Sequence, residues 1–289
     1  MIPARFDYSA AESVEEAVAL LQSRAGARVL AGGQDLLTQM KLRHVSPPLL
    51  VDLRKIASLR GMQALETGLR FGAMTTCTEI VASPAVKDGY QVLAEAADSI
   101  GDAQVRNVST IGGNLASGDP ASDLAAAVLA LDATLQLAGP NGSRSIAAEQ
   151  FFLGAFTTAL ESTEIITALD LPAVPAGSGS TYEKVKIPAN GYPLCGVAAS
   201  VVHGRDGSIL LCRLAITGVT AHPRRLRNVE AWLEGKTPTP ATIRDACAMI
   251  GEGLTFITNL HGSGDYRGHL TTVLAERALL RAVERAQGR

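Results

Sequence analysis

Apolar residues in the first third of the chain recur at helical and strand-like spacings in turn. Residues 13–24 place an apolar stripe on one face, which predicts a helix with Ser13 as its N-cap. Further predicted elements are a strand over 27–31 that ends at Gly32-Gly33, a helix over 36–42 and a strand over 49–53. This strand–turn–helix–strand order predicts a small parallel α/β unit.

The pattern changes along the rest of the chain. Strands are predicted over 68–73, 133–137 and 165–171, and Ala-rich helices over 92–100 and 121–131. Residues 172–181 combine two Pro, two Gly and three Ser or Thr, which predicts a linker between domains at 1–174 and 178–289. Beyond it, antiparallel strands are predicted over 182–186, 198–203, 209–214 and 215–219, and helices over 229–233, 241–249 and 270–286. The fold class is therefore α+β.

Composition excludes several classes of protein. A chain of 289 residues with 47% hydrophobic residues can bury a core. Its net charge of −2 lacks the excess of basic residues that is typical of a general nucleic-acid binder. No apolar run approaches the roughly 20 residues of a membrane span. The four cysteines form no CxxC pair, so we expect buried thiols, no metal site on this chain and a cytoplasmic location.

Two Gly-Gly pairs stand in similar surroundings, Ala31-Gly32-Gly33-Gln34 and Thr110-Ile111-Gly112-Gly113-Asn114. Glycine allows a positive φ and a close approach of the backbone to a ligand. Successive N–H groups in such a turn form an anion site, to which a following helix adds partial positive charge. We therefore interpret the pairs as two turns that could clamp a diphosphate. Two ordinary tight turns are the alternative, and neither a GxGxxG nor a P-loop motif is present.

Longer strings around these glycines carry a family resemblance. The segments AGGQDLLTQMKLR (31–43) and IGDAQVRNVSTIGGNLASGDPASDLAAAVLALDA (100–133) resemble the FAD-binding medium subunit of the xanthine dehydrogenase family, and aerobic carbon monoxide dehydrogenases in particular. The resemblance continues through Tyr182-Glu-Lys184 and Pro223-Arg-Arg225 to Tyr266-Arg-Gly-His-Leu270. It implies a two-part FAD-binding domain of the PCMH (vanillyl-alcohol-oxidase) type. It also implies a C-terminal domain with a small antiparallel sheet and a helical bundle.

The resemblance also implies a set of residues that bind FAD. They are Val29, Leu30, Ala31, Gly32, Gly33, Gln34, Asp35 and Leu36 in the first loop, Ile100, Thr110, Ile111, Gly112, Gly113 and Asn114 in the second region, and Asp123, Ile166, Lys184 and Tyr192. Asp123 would bond the ribose or its surroundings, Lys184 would lie at the flavin end and Tyr192 would cover the ring. The simpler alternatives are a helix-end charge, a solvated strand lysine and a tyrosine packed between domains. Ile100 and Ile166 are core residues in either case.

Asp35 departs from the family pattern, in which His-Ser or Thr-Asp often follows the first Gly-Gly pair. A carboxylate beside a diphosphate would repel it, unless the side chain turns away or caps the following helix. We therefore expect backbone contacts to dominate in this loop. Neither loop contains a histidine, so we expect FAD to bind without a covalent bond.

The function implied is that of an electron-transfer subunit of a molybdenum hydroxylase. A large partner subunit would carry molybdopterin and a small one two [2Fe–2S] clusters, in a dimer of heterotrimers. FAD would pass their electrons to an external acceptor, so no residue is expected to act as a catalytic acid, base or nucleophile. Two alternatives are a non-catalytic assembly subunit without flavin and a stand-alone FAD oxidase. The substrate would be bound by another chain and stays open.

Overall fold

The structure is a computed structural model that describes residues 2–288. Its N-terminal part is a parallel sheet in the order β1-β3-β2. The elements are β1 (Asp7–Ala10), α1 (Val14–Ser23), β2 (Arg28–Leu30), α2 (Leu36–Lys41) and β3 (Leu49–Asp52). The predicted parallel α/β unit is confirmed, and Ser13 caps α1 by accepting a hydrogen bond from the Glu16 amide. Strand β1 escaped prediction because none of its four residues is buried.

The second part of the N-terminal domain is a five-stranded antiparallel sheet in the order β4-β5-β10-β6-β7. Its strands are β4 (Met62–Leu65), β5 (Gly68–Gly72), β6 (Thr134–Gly139), β7 (Gly142–Ala147) and β10 (Ile165–Pro172), beside a small hairpin of β8 (Phe152–Gly154) and β9 (Thr157–Thr158). The helices are α3 (Cys77–Ala82), α4 (Pro84–Gly89), α5 (Gln91–Asp98), α6 (Ala103–Arg106), α7 (Ile111–Ala116), α8 (Asp123–Ala130) and α9 (Ala148–Phe151), with a 3₁₀ turn at Ala57–Leu59. Every residue of α8 is buried, so this helix is the centre of the core.

The C-terminal domain is a four-stranded antiparallel sheet in the order β11-β12-β13-β14, with helices packed against it. Its elements are β11 (Ser178–Lys186), β12 (Pro193–His203), β13 (Ile209–Thr217), β14 (Arg224–Arg225), α10 (Arg227–Leu233), α11 (Pro240–Cys247) and α12 (Gly264–Ala286). The prediction of separate strands over 209–214 and 215–219 is wrong, because β13 pairs with β12 without interruption from Leu211 to Thr217.

The predicted linker over 172–181 is too long. Strand β10 runs to Pro172 and β11 begins at Ser178, so only residues 173–177 connect the two domains. The small residues from Ser178 onward belong to a strand that packs closely on α12. A Cβ at Gly179 would lie 2.1 Å from the Ala282 carbonyl oxygen, so glycine is required there by packing and not by a flexible linker.

Helices of both domains pack against the sheet of the C-terminal domain. Helices α5 and α8 of the N-terminal domain pack on one face of it, where Ala198 and Ala215 join the N-terminal core. Helix α12 covers the other face, where Val197 and Leu214 belong to a second core. Because side chains alternate along a strand, β12 and β13 are apolar on both faces. Within residues 2–288, no helix combines the length and the apolar character needed to cross a membrane.

Candidate functional site

The first Gly-Gly pair forms a turn between β2 and α2. Gly33 has a φ of +75°, and its carbonyl accepts the hydrogen bond from the Leu37 amide that begins the helix. The amides of Gly32, Gly33, Gln34 and Asp35 have no hydrogen-bond acceptor anywhere in the described chain. These N–H groups at a helix N-terminus are suited to an anion, because they are donors without partners and carry the helix's positive partial charge.

The second Gly-Gly pair is not a turn, and that prediction is wrong. Gly112 and Gly113 lie in the first turn of α7, with Thr110 as its N-cap. The Ile111 amide donates to Thr75 and the Gly112 amide to Ala73, while the Gly113 amide donates to the Thr110 hydroxyl. Backbone donors at this segment are therefore already used within the protein. The Asn114 side chain accepts a hydrogen bond from the hydroxyl of Ser122, the N-cap of α8. This bond fixes the Asn114 side chain within α7.

The two segments nevertheless lie side by side. A Cβ on Gly32 would approach the Val108 carbonyl oxygen to 2.0 Å, and one on Gly113 would come within 3.4 Å of the Ala31 side chain. A Cβ on Gly112 would lie 2.6 Å from that of Ala73. The absence of side chains at these positions therefore allows the first loop, the entry to α7 and the end of β5 to pack in direct contact.

Asp123 and Lys184 are both buried and bond each other. Asp123 begins α8, and its carboxylate accepts hydrogen bonds from the Tyr182 hydroxyl at 2.6 Å and from Lys184 Nζ at 2.9 Å. Lys184 also donates to the Ser99 carbonyl at 3.0 Å. The lysine side chain is only 7% exposed, which excludes the alternative of a solvated strand lysine. Tyr182 was not among the predicted site residues, although it lies two positions before Lys184 on the same face of β11.

Burial dominates the electrostatics of this cluster. Removal from water raises the pKa of Asp123, while the charge of Lys184 and the hydrogen bond from Tyr182 act in the opposite direction. The pKa of Tyr182 is raised well above its ordinary value by burial and then by Asp123. The phenol therefore stays protonated and serves as a hydrogen-bond donor.

Tyr192 reaches the first loop from the other domain. Its hydroxyl lies 3.4 Å from Oδ1 of Asp35, and the ring is partly exposed. Asp35 occupies the N-cap position of α2 but makes no capping bond, so the expectation that it could cap the helix is wrong. Burial raises the pKa of Asp35, and burial followed by the charges of Asp35 and Asp119 raises the pKa of Tyr192 to about 12. Asp119 was not among the predicted site residues either. Its pKa is raised by burial and by the negative charges of Asp35 and Asp123.

The remaining predicted site residues are mostly apolar. Val29 and Leu30 form the end of β2, Ile166 is buried in β10, and Ile100 packs against the N-terminal core beyond α5. The Ile100 carbonyl accepts a hydrogen bond from Arg106 at 3.0 Å. The Gln34 carbonyl accepts one from the Thr38 hydroxyl at 2.8 Å. Val29 and Leu30 therefore lead into the first loop, and Ile100 and Ile166 belong to the N-terminal core.

All four cysteines are free and buried, as predicted. Burial raises the pKa of Cys77 to about 12 and that of Cys195 to about 11, so both remain thiols at neutral pH. Among the described residues there is no group of three or more His, Cys, Asp or Glu side chains placed to hold a metal ion. The chemistry of the donors at the Gly-Gly loop is instead that of an anion site.

Fold and site together define a two-domain α+β protein in which a loop with unpaired backbone donors lies within reach of a tyrosine of the other domain. Comparison with protein families identifies it further. Residues 4–174 match the family described as the FAD binding domain in molybdopterin dehydrogenase, and residues 180–282 match the carbon monoxide dehydrogenase flavoprotein C-terminal domain. The chain belongs to this family of FAD-binding subunits of molybdopterin dehydrogenases.

Individual relatives match along nearly the whole chain. The carbon monoxide dehydrogenase medium chain of Hydrogenophaga pseudoflava is 38% identical over 96% of this chain and 97% of its own length. The glyceraldehyde dehydrogenase medium chain of Sulfolobus acidocaldarius is 34% identical over 96% and 98%. A solved structure of the Hydrogenophaga pseudoflava carbon monoxide dehydrogenase superposes with a TM-score of 0.95 at 39% identity, covering 99% of both chains.

Proposed function

We propose that this chain is the FAD-carrying electron-transfer subunit of a molybdenum hydroxylase. It would pass electrons from the [2Fe–2S] clusters of a partner to an external acceptor. The relatives are named as medium chains of dehydrogenases, which supports a complex with a larger and a smaller subunit. The bound FAD supplies the ability to take up electrons singly and release them in pairs. This chain supplies position, shielding and charge.

The observation that carries this proposal is the set of unpaired amides at Gly32, Gly33, Gln34 and Asp35. Unpaired backbone donors at a helix N-terminus match the charge and acceptor oxygens of a diphosphate. In this proposal the first loop holds the diphosphate through its backbone, and Val29, Leu30, Ala31 and Leu36 support it. Gly112 and Gly113 contribute a surface without side chains, Ile111 anchors it in the core, and Thr110 and Asn114 fix its geometry.

The flavin end of the proposed site lies where the domains meet. Asp123 and Lys184 form one wall, and their mutual hydrogen bond holds each in place. Ile100 and Ile166 provide apolar backing, and Tyr192 would cover the ring. Because Tyr192 contacts Asp35 of the first loop, the two ends of the site are linked across the domains.

The N-terminal domain, residues 1–174, would be of the two-part PCMH type, since a parallel and an antiparallel sheet follow one another in it. The C-terminal domain would span residues 178–289. We further propose a large molybdopterin subunit, a small [2Fe–2S] subunit, a dimer of such heterotrimers and a cytoplasmic location. The buried, isolated thiols support clusters on a partner rather than on this chain.

The experiment is to purify the full chain together with its co-expressed neighbouring subunits and to record the visible absorbance. We expect a flavin spectrum, and release of intact FAD on heat denaturation because the bond is not covalent. Iron and molybdenum should be found in the partner chains only. A colourless complex that takes up no added FAD would contradict the proposal, and substrate oxidation by this chain alone would contradict the role assigned to it.

A further inference from the structure

Arg267 is an unusual buried charge in the C-terminal domain. It lies in the first turn of α12, is only 2% exposed and is among the largest fully buried side chains. Its partners among residues 2–288 are neutral, namely the carbonyls of Leu194 and Gly218 and the side-chain oxygen of Asn259. Its Nε has no hydrogen-bond partner in the described chain. A buried guanidinium without a carboxylate is costly, so its position calls for an explanation.

The two carbonyls belong to segments that lead to Tyr192 and to the loop of Asp119, whose charge acts on Tyr192. Leu194 follows Tyr192 by two residues, at the exit of the short loop closed by the hydrogen bond from the Ile187 amide to the Tyr192 carbonyl at 2.8 Å. Arg267 Nη1 lies 2.6 Å from the Leu194 oxygen. The same nitrogen contacts the Gly218 carbonyl, so a single donor group joins the two segments.

Gly218 in turn holds the loop that carries Asp119. Its φ is +80°, and its amide donates to the Pro120 carbonyl at 2.8 Å. The Thr217 hydroxyl donates to the same oxygen at 2.8 Å. A Cβ on Gly218 would lie 2.5 Å from the Pro193 oxygen, so the segments around residues 193 and 218 are in direct contact. A continuous chain of contacts therefore runs from Arg267 to both Tyr192 and Asp119.

We propose that Arg267 is a positioning residue for the flavin: it fixes the Tyr192 loop and the Asp119 loop relative to each other. This inference rests on the proposed function for its consequence at the flavin. Arginine suits the task because its planar fork can donate to several acceptors in fixed directions, whereas a lysine ammonium offers no such geometry. The group acts through Leu194 and Gly218, and no contact between Arg267 and the flavin is part of the proposal.

Hydrogen exchange of the full chain tests whether Arg267 holds the two segments through its hydrogen bonds to Leu194 and Gly218. We expect Arg267→Met to accelerate amide exchange about tenfold in peptides covering 187–194 and 217–219, the effect of losing a charge-assisted hydrogen bond. Arg267→Lys and Asn259→Ala remove only part of the network and should give smaller changes in the same peptides. The matched control is Arg281→Met on the same helix, where the exposed arginine pairs with Glu183 and exchange at both segments should stay unchanged.

The visible circular dichroism of bound FAD tests the consequence. Arg267→Met should retain FAD but give a flavin spectrum like that of Tyr192→Ala, and the double variant should not differ from either single one. A flavin spectrum that keeps the wild-type form in Arg267→Met, or additive changes in the double variant, would overturn the inference.

The two proposals fail in different ways. If the wild-type chain binds no FAD, the proposed function fails, while the exchange experiment still decides whether Arg267 ties the two loops. If Arg267→Met does not fold, Arg267→Lys and Asn259→Ala decide. Wild-type exchange rates at 187–194 in both of these milder variants would overturn the role of Arg267.

Discussion

Lys184 Nζ lies 2.9 Å from Oδ2 of Asp123, and this ion pair joins the two domains inside the protein. Both side chains are 7% exposed, in contrast to surface pairs such as Lys55 with Glu12, where both partners are mostly exposed. The buried pair is screened little by salt. Removing one partner leaves the other charge buried without compensation, which is far more costly than breaking a surface pair.

Lys184→Met should lower the free energy of unfolding by about 3 kcal/mol at neutral pH. Burial already raises the pKa of Asp123, and loss of the lysine raises it further. A raised pKa in the folded state means that stability is recovered as the pH falls through it, so the deficit should shrink in mildly acidic buffer. Urea unfolding across a pH series measures this. Lys55→Met is the control and should change stability by less than about 0.5 kcal/mol.

Glu95 on α5 forms a second link between the domains. Burial alone would raise its pKa, but Arg285, the Tyr182 amide and the Thr181 hydroxyl reverse this effect and lower it. Its contribution is therefore present above the pKa of an unfolded glutamate and is lost as the pH falls below that value and through the lowered pKa of the folded state. We expect Glu95→Gln to lose about 2 kcal/mol at neutral pH and to show a flatter acid profile. An unchanged profile would contradict this, and Glu66→Gln at an exposed turn should behave like wild type.

Gly33→Val should abolish retention of FAD, because the positive φ would strain a β-branched residue and displace the unpaired amides. The matched control is Gly61→Val. Gly61 has a similar φ of +81°, but a Cβ there would meet nothing within 4 Å and it lies outside the proposed site. Both variants should lose about 1–2 kcal/mol of stability. Only Gly33→Val should fail to bind in an FAD titration, and equal binding by the two would argue against the loop.

Asp35→Asn should increase the affinity for FAD about threefold, because it removes a negative charge beside the diphosphate. Burial raises the pKa of Asp35, so the wild-type affinity should also rise as the pH falls and the carboxyl becomes protonated. The variant should lack that dependence. Fluorescence titration at low salt measures both effects, with Asp245→Asn on α11 as the control. A loss of affinity in Asp35→Asn would mean that the carboxylate bonds the ligand instead of repelling it.

Much of the fold follows from local pattern. The helix at Val14–Ser23 and the strand at Ile165–Pro172 have clear apolar spacing, and both form where predicted. The strand at Asp7–Ala10 has no such spacing, because it exists through its pairing with Leu49–Asp52. The segment from Ser178 to Thr181 has the composition of a linker, yet a distant helix packs on it. Contacts of this kind with residues distant in sequence cannot be predicted from a short stretch of sequence.

The candidate site was predicted from its glycines and from a family resemblance. The roles of its residues in binding FAD stay predictions. Sequence could identify Gly32 and Gly112 as positions without side chains, but not that one pair begins a turn and the other a helix. The difference lies in Thr110, whose hydroxyl caps α7. Tyr182 and Asp119 were missed because each is ordinary in its local sequence. Tyr182 bonds Asp123, which lies 59 positions earlier, and Asp119 is affected by the charge of Asp35.

The connection at residues 173–177 has a consequence for how this protein could be divided. The chain leaves the central strand of one sheet and, after five residues, enters an edge strand of another whose face is covered by α5 and α8. Separating the halves would expose those apolar helices and the sheet to water. We therefore expect the two segments that match separate families to unfold together rather than independently. Exchange of parts between relatives should succeed only when both halves are transferred together.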